Sequence, residues 1–101
     1  MSYIIKFFSR LNELEDILTQ NRIWKNRLIN IGVLCKQNVV NYNISGVLLR
    51  STGISWDLRK MMPYELYNKI PFNLIIGNNG DCFDRYLIRL YEMRECCYII
   101  L

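Results

Sequence analysis

Two short stretches gather the side chains that could do chemistry. One is Ser45-Gly46-Val47-Leu48-Leu49-Arg50-Ser51-Thr52-Gly53, the other Gly80-Asp81-Cys82-Phe83-Asp84-Arg85-Tyr86. Between them lie Trp56-Asp57-Leu58-Arg59-Lys60 and Pro63-Tyr64-Glu65-Leu66-Tyr67. The charged residues stand singly among apolar and aromatic ones, each near a Gly or Pro. A buried charge survives only when it is paired, so isolated Arg and Asp beside Gly turns predict partly buried ion pairs inside a larger packed body. Gly46 and Gly53 bracket Arg50, and a tight backbone feature there would aim the guanidinium at a fixed partner. A phosphate-cradling loop would need a denser run of glycines and a Lys-Ser/Thr pair, which this stretch lacks.

The four cysteines, Cys35, Cys82, Cys96 and Cys97, show no C-x-x-C spacing, and the chain has no histidine to complete a zinc set. Adjacent Cys96 and Cys97 would point to different sides of a helix. They read as small buried thiols of a reducing compartment; a redox role would require an exposed thiol of low pKa. Without histidine there is no Ser-His or Cys-His nucleophile pair and no usual general base. The chain thus offers no catalytic, metal-binding or cofactor-binding residue of its own.

The elements that must position these residues follow from periodicity. Ile4, Phe8, Leu11, Leu14 and Leu18 mark one face of a helix. A second helix is expected from about Arg22 to Ile31, with Gly32 as its C′ residue and Trp24 in core packing. Residues 35–42 could form a third short helix closed by Asn43, although Val39 and Val40 also suit a strand. Asp57 with Arg59 or Lys60 would order one helical turn, and Pro63 implies a break at Met62. A short helix is expected over 63–68 and a brief strand over 71–76, ended by the turn signal Gly77-Asn78-Asn79-Gly80.

The last helix carries the strongest signal. Asp81 reads as its N-cap, Asp84 favours the positive first turn, and Asp81 with Arg85 makes an attractive i,i+4 pair. Phe83, Leu87, Leu90, Cys97 and Leu101 fall near one face, widened by Tyr86, Met93 and Ile100, while Ile88, Tyr91 and Tyr98 are apolar elsewhere. A helix apolar nearly all round is normally buried in a larger assembly. Its pattern runs to Leu101 without a terminating Gly, as in a piece of a larger body. The fold class expected is mainly α, with at most one or two short strands, and residues 1–101 form a partial domain with no internal boundary.

Composition sets bounds on function. The chain has 101 residues, 51% hydrophobic and 13% aromatic, with net charge +4, which is rich in apolar residues for so small a body. Its basic residues form no block, so they give only slight support to an alternative role as a small RNA-binding module of an organelle. No apolar run reaches the roughly 18 to 20 residues of a membrane span. The N-terminal run is too short for a signal peptide, and Glu13, Glu15 and Asp16 come too early for an acid-poor transit peptide. Ile, Asn, Tyr, Phe and Lys abound and alanine is missing, a bias that suggests an AT-rich, organellar gene, since nothing in helix physics disfavours alanine.

Arg10-Leu11-Asn12-Glu13-Leu14-Glu15, Asn21-Arg22-Ile23-Trp24, Ile31-Gly32-Val33, the two opening stretches, Trp56-Asp57-Leu58-Arg59-Lys60, Pro63-Tyr64 with Tyr67, and Glu92-Met93-Arg94 stand in fixed order and spacing. In this the chain resembles, from about Phe7 onward, the middle of the quinone-site (forty-nine kilodalton) subunit of respiratory complex I, NADH dehydrogenase subunit seven, a relative of nickel-iron hydrogenase large subunits. The resemblance implies a fragment of a hydrogenase-large-subunit-like helical body that supports the quinone cavity. It implies membership of an NADH:ubiquinone reductase that translocates protons, in the matrix arm at the mitochondrial inner membrane. The family's quinone-ligating histidine and tyrosine lie upstream and have no counterpart here. Ubiquinone and a [4Fe-4S] cluster would be neighbours, the cluster held by another subunit. Arg50, Asp57, Arg59, Asp81, Asp84 and Arg85 match family motif positions and are expected to act as ion-pair and capping residues. Family members are several times longer, so the expectation is a mitochondrially encoded fragment that joins the remaining fragments non-covalently and packs on other matrix-arm subunits.

Overall fold

The computed structural model describes residues 2–101. Its helices are α1 (Ser2–Leu18), α2 (Arg22–Leu28), α3 (Lys36–Asn41), α4 (Val47–Ser51), α5 (Leu58–Met61) and α6 (Cys82–Ile100). No strand forms among the described residues, so the mainly α expectation holds.

α1 and α6 are the frame, and they run antiparallel. Phe8 meets Tyr98 edge-on at 5.6 Å, Asn12 accepts from Arg94 at 2.9 Å, and Thr19 shares a hydrogen bond of 2.9 Å with Tyr86. Rising sequence number along α1 is therefore matched by falling number along α6. Arg94 also pairs with Glu15, so one guanidinium ties two successive turns of α1 to α6. The ring of Trp24 on α2 stands edge-on against Tyr86 at 5.8 Å, consistent with the packing role expected for it.

The shorter helices start and stop where local chemistry dictates. Asn21 caps α2 by accepting from Ile23 and Trp24 N–H groups, the usual N-cap exchange of side chain for missing helical acceptor. α2 ends at Leu28, earlier than its apolar spacing implies, and the left-handed residue after its cap Ile29 is Asn30 (φ +59°), not Gly32. Asn tolerates that region through its short polar side chain, and Asp81 fixes it there by accepting the Asn30 N–H at 3.0 Å. α3 ends with Asn43 in the same conformation, φ +54°.

Two expected elements do not form. Residues 63–68 make turns rather than a helix, with Glu65 at φ +52° interrupting any helical run. Residues 71–76 form no strand. This stretch and the turn after it find other backbone partners. The Asn73 N–H donates to the Glu95 carboxylate at 3.0 Å. The Gly77 and Gly80 N–H groups donate to the carbonyls of Arg50 and Ser51 at 3.0 and 2.9 Å, closing the C-terminal end of α4.

The core is thin. Leu11, Val39, Leu49, Phe72, Ile88, Leu90 and Cys97 are its buried apolar side chains. Ile88 belongs to it although the face read from spacing excluded it, while Phe83 and Leu87 are half-buried and Leu101 is exposed. The reason is that α6 is covered on more than one side, by α1, α2 and α4. The Cα extents are 39 × 36 × 14 Å, so the body is flat. Its radius of gyration is 15.1 Å against about 13 Å for a compact chain of this length. Accessible surface is 7172 Å², where a 12.1 kDa monomer ordinarily exposes about 6,000 Å².

Candidate functional site

Three charged knots surround the short helix α4 and the start of α6. The first is Arg50. Gly46 (φ +73°) and Gly53 (φ +89°) bracket α4 as the sequence suggests, and Arg50 between them is buried. Its guanidinium donates to the Glu92 carboxylate on α6 at 2.6 Å and to the Trp56 carbonyl at 3.3 Å. Arg89 reaches the other oxygen of Glu92 from the solvent side at 3.2 Å. Glu92 is thus the fixed partner, at the centre of an Arg-Glu-Arg triad.

The second knot is Asp57 with Arg59. Asp57 is the N-cap of α5, accepting from the Arg59 N–H at 3.0 Å, and it holds the Arg59 guanidinium at 2.7 Å. Hydrogen bonds from the Arg59 side chain, more than its charge or that of Arg50, hold the Asp57 carboxyl below its ordinary value against the opposing effect of burial. The same contact holds the Arg59 guanidinium above its own. Arg59 and Lys60 also lie over the buried ring of Phe72, at 4.9 and 4.8 Å from its centroid, an arrangement that fastens segment 71–76 to α5 by cation–π attraction.

The third knot is Asp81, Asp84 and Arg85. Asp81 caps α6 as expected, accepting from the Asp84 N–H at 2.8 Å with one oxygen and from the Asn30 N–H with the other. It does not pair with Arg85. Arg85 turns back instead to the carbonyls of Gly32 and Gly80. Asp84 accepts the Asn78 and Asn79 N–H groups at 2.9 and 2.8 Å, and the Asn79 side-chain amide at 3.3 Å. The loops before α2's successor and before α6 are stitched by Leu34 N–H to Gly80 O and Cys82 N–H to Ile31 O, both at 3.0 Å. A Cβ on Gly80 (φ +67°) would stand 2.3 Å from the Leu34 carbonyl oxygen, so this approach of two backbones requires glycine.

The six residues singled out from the sequence therefore divide into two neighbourhoods. Arg50, Asp57 and Arg59 share one, lining a common concavity with Trp56 and Tyr64. Asp81, Asp84 and Arg85 form the other. Each is engaged by a carboxylate, a guanidinium, or backbone N–H or C=O groups, so what the arrangement does chemically is hold loops and helix ends in place. Sequence reasoning missed Glu92 and Arg94 as partners; the usable signal was their alternation with apolar residues on α6 at positions facing α4 and α1. The basic side chains of Arg50, Arg59, Arg85 and Arg94 are turned toward internal acceptors and do not form a phosphate-tracking surface.

No three or more Cys, Asp or Glu side chains converge on a metal-sized site among the described residues. Cys35 and Cys96 are exposed, Cys82 half-buried and Cys97 buried, all free, so two of the four depart from the buried thiols expected. An iron-sulfur cluster needs several converging thiolates, and this placement does not fit one. No helix among the described residues is long and apolar enough to cross a membrane.

Buried charges thus serve here as fasteners of loops and helix ends around a thin core. The family described as respiratory-chain NADH dehydrogenase, 49 Kd subunit, matches residues 1–101, and the chain belongs to it. It is 53% identical over 100 residues to the NADH-ubiquinone oxidoreductase 49 kDa subunit of Cafeteria roenbergensis, covering 99% of this chain and 25% of that protein. Identity is 54% over 100 residues to the subunit of the same name in Acanthamoeba castellanii, with the same coverage. It is 50% over 96 residues to the NADH dehydrogenase [ubiquinone] iron-sulfur protein 2 of Nephroselmis olivacea, covering 95% of this chain and 24% of that protein. The chain thus spans about a quarter of the length of the curated relatives it matches.

Proposed function

We propose that this chain is a supporting segment of the quinone-reducing subunit of mitochondrial NADH:ubiquinone oxidoreductase, respiratory complex I. In this reading it works in an enzyme that oxidises NADH, reduces ubiquinone and translocates protons, in the matrix arm attached to the inner membrane. Its partners are the remainder of its own subunit, covalently continuous or not, and other matrix-arm subunits. A [4Fe-4S] cluster on a neighbouring subunit and ubiquinone lie close by without drawing ligands from these residues. The chain's part is to hold shape around the quinone cavity, as support that keeps reacting groups of other segments in position. Arg50, Asp57, Arg59, Asp81, Asp84 and Arg85 carry that support.

The observation that supports this reading is the number of large apolar side chains left exposed. Tyr3 is 74% exposed, Ile17 68%, Ile23 67% and Tyr42 74%. Single exposed apolar residues are ordinary, but so many large ones on a chain of this size favour a surface that is covered in the working protein. The test is native gel electrophoresis of solubilised mitochondrial membranes with peptide identification in each band. Peptides of this chain are expected in the band of assembled complex I. Finding them only in a small soluble species, or bound to RNA, overturns the proposal.

A further inference from the structure

Beyond the knot of Asp57 and Arg59, α5 and the turns that follow it enclose a concavity of about 510 Å³. Its lining includes Arg59, Lys60, Pro63, Tyr67, Lys69 and Pro71. We propose that this concavity receives an acidic segment of another subunit, whose carboxylates pair with Lys60 and Lys69. The inference rests on the reading of the chain as part of complex I, and adds a contact surface and the chemistry of its partner.

The charge balance is the first argument. Arg59 is bound by Asp57, which accepts from its side chain at 2.7 Å and from its backbone N–H at 3.0 Å. Lys60 and Lys69 are exposed and form no ion pair among the described residues. Glu65, the one acid of the loop over 62–71, does not line the concavity. Two uncompensated ammonium groups therefore share one hollow, and an anion entering it meets attraction from both.

The kind of anion follows from what is already engaged. A guanidinium fork is the group that grips phosphate in two-point fashion, and the only one in this hollow is held by Asp57. Phe72 is buried beneath Arg59 and Lys60. Tyr67 packs edge-on against it at 6.2 Å and against Tyr64 at 5.0 Å, whereas nucleic-acid grooves keep aromatic faces open for base stacking. Lysine ammonium groups beside an apolar wall suit the carboxylates of a peptide.

The surroundings match the anatomy of a contact between subunits. Met62, Tyr64 and Leu66 are exposed beside the hollow, and such contacts place Met and aromatic groups within a polar rim. The loop is also set in advance. The Tyr67 N–H donates to the Tyr64 carbonyl at 3.1 Å and the Lys69 N–H to the Leu66 carbonyl at 2.9 Å, and Pro63 and Pro71 fix the backbone on either side. Binding then costs little ordering on this side.

The experiment uses assembled complex I, treated in one arm with a zero-length carbodiimide that joins amines to carboxylates, and in the other with an amine-acetylating reagent. Peptide mass spectrometry is expected to find Lys60 or Lys69 joined to an Asp or Glu of a different subunit. Both lysines are expected to resist acetylation until the complex is unfolded. Equal acetylation in the intact and unfolded complex overturns the proposal, since the lysines are then simply solvated. So does a cross-link confined to the forty-nine kilodalton subunit, and so do protected lysines that yield no carboxylate cross-link. In those outcomes the chain is still in the complex, so the family reading stands while the contact falls. If the chain is missing from the complex I band, both fall.

Discussion

The Arg50 guanidinium and the Glu92 carboxylate meet at 2.6 Å across 42 residues of sequence, with only 10% and 15% of their side chains exposed. This contact joins the short helix α4 to the middle of α6. Its two-ended character sets the first prediction. Removing Glu92 leaves Arg50 buried without its carboxylate, which costs about 3 to 5 kcal/mol; removing Arg50 leaves Glu92 its contact with Arg89 and costs less, and replacing both by apolar residues of similar volume is often neutral. Arg50→Met and Glu92→Leu should each reduce the amount of assembled complex, and the double variant should recover much of it. Band intensity on native gels checks this. If Arg50→Ala left assembly intact and abolished electron transfer, Arg50 would be more than a fastener.

Asp81 shows why the best generic cap is not good enough here. Its two oxygens serve two different backbone donors, Asp84 N–H and Asn30 N–H. Asn is ordinarily an equal N-cap, but its amide has one acceptor oxygen and would set an NH₂ against the second donor. Asp81→Asn is therefore expected to lose about 1 to 3 kcal/mol, the cost of a buried donor left unmade. Thermal unfolding of the assembled subunit, compared with Asp81→Ala, measures it; equal stability of Asn and Asp would refute the two-donor account.

Gly80 and Gly46 separate strain from collision. Both have positive φ, but a Cβ on Gly46 meets nothing within 4 Å, while one on Gly80 meets the Leu34 carbonyl oxygen at 2.3 Å. Gly46→Ala should cost about 1 to 3 kcal/mol of backbone strain. Gly80→Ala should cost clearly more, because two backbones must separate and the Leu34–Gly80 hydrogen bond with them. The difference is read as a larger fall in melting temperature.

Asp57 gives a pH dependence of definite sign. Its folded carboxyl titrates below its ordinary value of 3.8, chiefly through the Arg59 hydrogen bonds. Such a group contributes stability that is fully present above its unfolded pKa and is lost as pH falls through the folded one. Wild type should therefore lose more stability than Asp57→Asn on acidification from pH about 5 to pH about 2. Chemical denaturation at a series of pH values checks this, and parallel profiles would count against the Asp57–Arg59 pair.

Much of this was legible in the sequence because it depends on neighbours. The cap at Asp81, the turn at Asp57 and the bracketing of Arg50 by two glycines are settled within a few residues. So is α1, whose periodic face needs only one side covered. Segment 71–76 was misread because strand formation depends on a second strand, and local spacing carries no record of one. Arg85 likewise matched an i,i+4 partner by spacing but follows tertiary supply, since the fold brings the Gly32 carbonyl to it from 53 positions earlier. Ile88 was placed off the buried face because one helix stripe was assumed, while α6 is touched by three other helices.

The flatness of this body has a consequence for how the protein is made. On the proposed reading, its exposed apolar surfaces stay open until the rest of the subunit packs on them. Aggregation competes with docking throughout that interval. The buried charged fasteners then acquire a second significance: they hold the loops and helix ends in register during that interval.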